Sequence, residues 1–227
     1  MDSFHEKLTE HLAGHLTEFR RRRIDEIIDL RTRHVTVVLE DVYKEHNASA
    51  VVRTCECLGL QDLHVIENQH EYNVNRSVVM GSSKWININK YSSSTDNTKA
   101  CFDSLRTKGY RLIATTPDAT ARTLEELDLS YKTALVFGTE YAGLSDYALQ
   151  SADATVRLPI YGFTESYNLS VSVAIALSYA IRNVRSSKVE WNLSQKEKDI
   201  LKLDYVRKTV KRSQVLEKEF RMTFESE

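Results

Sequence analysis

Proline and glycine are scarce: two and seven among 227 residues. Nowhere do they gather into a run, which argues against a flexible linker between halves and leaves one main domain with helical ends. The three cysteines, Cys55, Cys57 and Cys101, form an odd set without repeated Cys-x-x-Cys spacing. Neither a disulfide framework nor a zinc site is expected of them; reduced thiols packed in a core are. No uninterrupted apolar run reaches the length of a membrane span, and Asp2, His5 and Glu6 stand where a leader would be basic and then apolar. The expectation is a cytoplasmic protein with no membrane partner.

Several nucleotide and hydrolase fingerprints are also missing. No Gly-x-Gly-x-x-Gly follows a strand, no Gly-Lys-Ser/Thr closes a phosphate loop, and no Gly-x-Ser-x-Gly elbow occurs. Dehydrogenases, kinases and serine hydrolases of those types are thereby disfavoured. His11 and His15 lie one helical turn apart but lack a third ligand, so no metal is expected.

Charge is nearly balanced, at −1, yet unevenly spread. Basic groups exceed acidic ones by about four from Arg182 onward, and the stretch between the two ends is acidic by about five. Arg20, Arg21, Arg22 and Arg23 form a second basic concentration, diluted by Asp25, Glu26 and Asp29. Such a run is commonly a solvated helix face; its alternative is a grip on nucleic-acid phosphates.

With 41% apolar residues the chain can bury a sizeable core. Leu8, Leu12, Leu16, Phe19, Ile24, Ile27 and Ile28 recur at helical spacing and predict a helix or helix pair over residues 3–30. A β-branched run, Val35 to Leu39, precedes a helix that Asn47 is placed to cap and Gly59 to stop. Strands are expected at Leu63–Ile66, Tyr110–Ala114, Ala134–Phe137 and Thr155–Leu158, with a helix near 98–108 and a long one opened by Asn168. In the latter, Leu169, Val173, Ala176, Leu177 and Ala180 make the buried stripe, and small residues such as Ala174 and Ser178 allow close approach of another surface. One or two further helices follow between Ser194 and Met222. Strands alternating with helices predict an α/β fold with a mostly parallel sheet.

Three separated stretches put polar residues at the mouths of apolar elements. The first runs from His46 to Arg53. Arg53 lies off the apolar face of its helix, free to pair with Glu56 or to recognise phosphate or sugar through its planar fork. In the second, Ala134–Phe137 runs into Gly138, Thr139 and Glu140, then Tyr141, Ala142 and Gly143. Ligands of parallel sheets bind at the carboxyl ends of strands; a tight turn is the plainer account of the glycine. The third joins Leu158, Pro159 and Ile160 to Ser166, Tyr167, Asn168, Leu169 and Ser170. Thr115, ending another predicted strand, belongs to the same rim.

Together these stretches resemble the three motifs of the SpoU branch of the SPOUT methyltransferases. Asn47, Ala50, Arg53 and Gly59 match the first motif, Phe137, Gly138, Glu140 and Gly143 the second, and Leu158-Pro159-Ile160 with Ser166 to Ser170 the third. The likeness spans roughly residues 35–185, and Tyr167 and Leu169 replace the usual leucine and valine.

The resemblance implies a trefoil knot in the C-terminal part of a sheet domain over residues 34–186, with helical extensions at 1–33 and 187–227. It implies S-adenosylmethionine as cofactor, held mainly by backbone groups at Thr115, Gly138, Leu158, Ile160 and Tyr167. The implied reaction is methylation of a ribose 2′-hydroxyl in RNA, with Arg53 and Asn47 catalytic and Glu140, Ser166 and Asn168 shaping the site. A homodimer is implied, with Arg20 to Arg23 gripping tRNA. His46 before Asn47, the Gly81–Trp85 segment and the extensions resemble the members that act on tRNA guanosine 18 in the D-loop. A ribosomal RNA target, another tRNA position and a silent RNA-binding protein are the competing readings.

Overall fold

Thr133–Phe137 is apolar at almost every position because it has no solvent face: all five residues are buried. In the computed structural model, which describes residues 3–225, this segment (β6) lies between two parallel neighbours in a seven-stranded sheet. The other strands are β1 (Val35–Glu40), β2 (Asp62–Ile66), β3 (Asn87–Tyr91), β4 (Arg111–Thr115), β5 (Arg122–Thr123) and β7 (Ala154–Arg157). The order is β3-β2-β1-β6-β4-β7-β5, and every pairing is parallel.

The chain falls into two compact units, one spanning Thr32–Trp191 and the other formed by the residues up to Arg31 together with those from Asn192 on. In the first, α3 (Glu45–Cys57), α4 (Arg76–Val79), α5 (Asn97–Thr107), α6 (Asp146–Ser151) and α7 (Leu169–Ser186) connect and cover the strands. The two-residue period of the strands sends alternate side chains to opposite layers. Val35, Val37, Leu39, Leu135 and Phe137 join the core that contains Val51 and Cys55 of α3 and the apolar stripe of α7. Val38, Ala134 and Val136 join the other, around Phe102 and Leu105 of α5 and Ala148 of α6. All five residues of the expected α7 stripe are buried, joined by Ile181 and Val184. Each large apolar side chain so buried contributes roughly 1.5–3 kcal/mol.

The second unit packs α1 (Ser3–Ala13) and α2 (Glu18–Asp29) with α8 (Gln195–Thr209) and α9 (Ser213–Phe224). Leu8, Leu12, Ile24 and Ile28 meet Leu201, Tyr205, Val206 and Val210 inside it, so both ends of the chain build one core. Phe19, by contrast, is 77% exposed, and Leu16 and Ile27 are only partly covered. His11 stacks on Phe220 and lies edge-on to His15.

Three expectations need correction. Asn47 does not cap α3: the helix begins two residues earlier, at Glu45 with Lys44 as N-cap, and Asn47 sits buried in its first turn. Cys55 and Cys101 are buried thiols, but Cys57 is exposed, because two residues along a helix turn a side chain about 200° from the buried Cys55 face. The edge strand β3 was not expected from its sequence, Asn-Ile-Asn-Lys-Tyr, whose asparagines are poor strand formers. Among the described residues no helix is long and apolar enough to cross a membrane, and no three His, Cys, Asp or Glu side chains are grouped to hold a metal ion.

Candidate active site

The carboxyl end of β6 leads into a turn that glycine alone permits. Thr139 and Gly143 exchange two backbone hydrogen bonds of 3.0 Å, and the Ala142 N–H donates to the Thr139 hydroxyl at 3.0 Å. A Cβ on Gly138 would lie 2.0 Å from the Gly143 carbonyl oxygen, so the space a side chain would take there is filled by the turn itself. Gly143 closes the turn with a φ of 70°, in the left-handed region. This folds residues 139–143 into a small closed loop with Glu140 and Tyr141 at its tip.

Glu140 turns toward the first turn of α3 and the start of α7. Its Oε1 accepts from the Asn47 Nδ2 and, at 3.2 Å, from the Asn168 Nδ2, which also reaches the Asn47 Oδ1 at 3.1 Å. Lys44 completes the group, its Nζ 2.6 Å from the Glu140 Oε2. That hydrogen bond, with the attraction between the charges, raises the Lys44 pKa above the ordinary lysine value. While its amide nitrogen serves the site, the Asn168 amide oxygen caps α7, accepting from the Ser170 N–H at 2.9 Å and the Ser170 hydroxyl at 2.7 Å. One asparagine thus caps a helix and holds the site, as its dual reading in the sequence allows.

Asn47 is fixed in turn by the packing of α3. Ser49 donates to the Glu45 carbonyl at 2.6 Å and accepts from the Asn75 N–H at 2.7 Å, and the buried Tyr72 hydroxyl donates to the Ala48 carbonyl at 3.1 Å. These bonds tie the start of the helix to the segment that follows β2.

Arg53 stands apart from this cluster. Six residues along α3 carry it about 9 Å up the helix axis and some 240° around it. The Asn47 side chain is engaged by Glu140 and Asn168. Arg53 is exposed and lines a hollow of about 580 Å³ with His46, Ala50 and Cys57 on its own helix and Ala174 and Ser178 on α7.

The remaining candidates gather at neighbouring strand ends. Thr115 ends β4, Gly138 follows β6 and Leu158 follows β7, and these three strands are adjacent in the sheet. The Thr115 hydroxyl donates to the Val136 carbonyl at 2.9 Å. Leu158 and Ile160 are half-buried. Tyr167, the departure from the family pattern, finds a partner for its phenol within its own loop: the hydroxyl donates to the Pro159 carbonyl at 3.0 Å. Ser166 is exposed and lies outside the Asn47–Glu140–Asn168 cluster.

Arg20 to Arg23 belong to α2, in the other unit. Arg21 donates to the carbonyls of Leu16 and Gly14, Arg22 pairs with Glu18 and Arg23 with Glu26. One member of the cluster escaped the sequence reading. Lys44 carried a usable signal, a cation one turn before Asn47 in a helix start.

A parallel α/β sheet with a polar cluster at its carboxyl edge, built from loops after β1, β6 and β7, defines a ligand-binding enzyme of the open-sheet class. The SpoU rRNA methylase family model matches residues 34–178, and the chain belongs to that family. It is 43% identical over 206 residues to the tRNA (guanosine(18)-2'-O)-methyltransferase of Borreliella burgdorferi, covering 91% of this chain and 93% of that protein. The enzyme of the same description from Thermus thermophilus is 35% identical over 166 residues, 73% of this chain and 84% of the relative. Among solved structures, the TrmH/SpoU tRNA modifying enzyme of Aquifex aeolicus superposes with a TM-score of 0.75 at 30% identity, over 86% of this chain and 98% of that one.

Proposed function

We propose that this protein methylates the 2′-hydroxyl of guanosine 18 in the D-loop of tRNA, using S-adenosylmethionine. The observation that carries the reading is the convergence of Asn47, Glu140 and Asn168, from three distant segments, at the carboxyl edge of the sheet in a chain of this family. Relatives 43% and 35% identical to it are named for that reaction.

The strand ends suit such a cofactor. Among the described residues no backbone–backbone hydrogen bond engages residues 160–166, so the loop offers donors and acceptors beside the half-buried Leu158 and Ile160. Thr115, Gly138, Leu158, Ile160 and Tyr167 would hold it there. Bound, it supplies a sulfonium methyl group whose bond to sulfur breaks as the bond to the ribose oxygen forms.

The ribose hydroxyl is a weak nucleophile, so the protein's tasks are alignment and management of its proton. Arginine side chains stay protonated and are poor bases. Arg53 therefore acts by charge, stabilising the developing alkoxide while the proton passes to a neighbouring RNA phosphate or to water. Asn47, Glu140 and Asn168 fix the ribose edge, and Ser166 borders them.

The separation of Arg53 from that cluster supports a homodimer in which the small-residue face of α7, with Ala174 and Ser178, lies against a second copy and the hollow at Arg53 is completed by it. The reading includes a trefoil knot, in keeping with a strand order that inserts β6 between β1 and β4. It also includes cytoplasmic residence and contacts from Arg20 to Arg23 with tRNA phosphates.

The test is to incubate the protein with labelled cofactor and separate tRNA and ribosomal RNA transcripts, then map the methylated nucleotide. The expected product is 2′-O-methylguanosine in the D-loop; a product confined to ribosomal RNA overturns the assignment. Arg53→Ala should lose turnover while calorimetry still detects cofactor binding.

A further inference from the structure

Folding normally hides aromatic rings, and here three are left almost wholly in solvent. Tyr141 is 99% exposed, Tyr161 95% and Phe163 fully. No other large apolar side chain among the described residues exceeds the 77% of Phe19. All three belong to the two loops that carry Glu140 and Asn168.

Tyr141 differs from the other two in how it is held. It sits at the tip of the loop closed by the paired Thr139 and Gly143 backbones, and a side chain at Gly138 would collide with that closure. Its neighbour Glu140 is anchored by Asn47, Asn168 and Lys44. The backbone on which the ring stands is therefore fixed from both sides while the ring itself touches nothing that buries it. A rigid, exposed π-face loses little freedom when it stacks.

We propose that Tyr141 is a base-stacking residue: it receives the face of an unpaired nucleobase of the RNA whose ribose lies on the Asn47–Glu140–Asn168 cluster. This rests on the reading of the protein as an RNA ribose methyltransferase and adds a determinant to it. A ribose seated on that cluster brings its own base, or that of the adjoining nucleotide, to the rim where the ring stands. Every base has a π-face, so the contact selects for a nucleotide free of helical stacking rather than for one sequence. Lys44 supplies positive charge nearby for a flanking phosphate.

The experiment compares wild type with Tyr141→Phe, Tyr141→Leu and Tyr141→Ala on a tRNA transcript, and measures binding of the same transcript carrying 2-aminopurine in the D-loop. Stacking predicts that Phe retains the wild-type KM, while Leu and Ala raise it about five- to a hundredfold. Their kcat and their affinity for S-adenosylmethionine should stay within about threefold of wild type. Quenching of 2-aminopurine should accompany binding to wild type and the Phe variant and be lost with Leu and Ala. The exposed ring carries no buried contacts, so the variants should fold; circular dichroism checks this. An unchanged KM in the Ala variant, or a Leu variant equal to Phe, overturns the proposal. So does a change of subunit association in sedimentation with KM unaltered. If wild type transfers no methyl group to any RNA, it is the enzymatic reading that fails, and the quenching series still reports on the stack.

Discussion

Glu140 and Asn47 are 93 residues apart in sequence and joined by a hydrogen bond from the asparagine amide to the carboxylate. Asn47 is 5% exposed, so little water competes for that amide, whereas the Glu140 side chain keeps 20% of its surface open. The carboxylate is thus held by a buried partner on one oxygen and by Lys44 on the other, with its open side toward the rim.

Replacing Glu140 by Ala should remove the acceptor shared by Asn47, Asn168 and Lys44. We expect turnover to fall on the order of a hundredfold through lost alignment. Stability should fall by about 1–2 kcal/mol, because a buried amide donor is left unmatched. Glu140→Gln keeps an acceptor for Asn47 and gives up the attraction to Lys44, so its turnover should lie between the two. Single-turnover kinetics and urea unfolding read both quantities; wild-type turnover in the Ala variant contradicts the role.

Gly138→Ala places a methyl group where the Gly143 carbonyl already lies, at 2.0 Å. The turn must open, which should cost about 2–3 kcal/mol by overpacking and displace Glu140. Both the unfolding midpoint and methyl transfer should drop together. A variant that loses neither would show that the turn yields freely.

His64 provides a pH signature. Buried on β2 beside Tyr91, its ring is pulled down from the usual 6.5 to about 4, mainly by desolvation of the charged form. Between those two values the unfolded chain binds the proton and the folded one does not, so stability rises with pH and is lost on acidification from 6.5 toward 4. The loss amounts to roughly 3 kcal/mol at the acid end. His64→Gln should flatten that part of the stability curve, measured as the difference between the urea midpoints of variant and wild type at pH 7 and pH 4.5. Parallel curves would show that the imidazole does not drive it.

The four arginines of α2 should not behave alike. Arg21 ties its helix to the carbonyls of Leu16 and Gly14, so Arg21→Ala should lower stability by about 1 kcal/mol. Arg20 makes no side-chain hydrogen bond or ion pair among the described residues; Arg20→Ala should leave the unfolding midpoint in place and reduce the salt dependence of tRNA binding by about one counterion. An unchanged salt slope would return Arg20 to the role of a solvated surface charge.

What the sequence determined by itself was local. The continuous apolar run at Ala134–Phe137 specified a strand covered on both faces, the stripe from Leu169 to Ala180 specified the buried side of α7, and Asn168 marked the start of that helix. Gly59 and Gly109 end α3 and α5 with positive φ, as a helix stop requires. Each of these signals acts within a turn or two of backbone, where side-chain spacing and capping decide. Resemblance in three motifs supplied the family. Only the tertiary structure decided that Asn47 enters the helix rather than capping it, that Glu140 is its partner, and that Lys44 joins them. The same holds for the strand order and for the two chain ends sharing one core. Parallel strands must be joined by long crossovers, so residues that meet at the sheet's carboxyl edge come from loops 93 and 121 positions apart. No local pattern encodes which of those loops touch; packing of the helices against the sheet does.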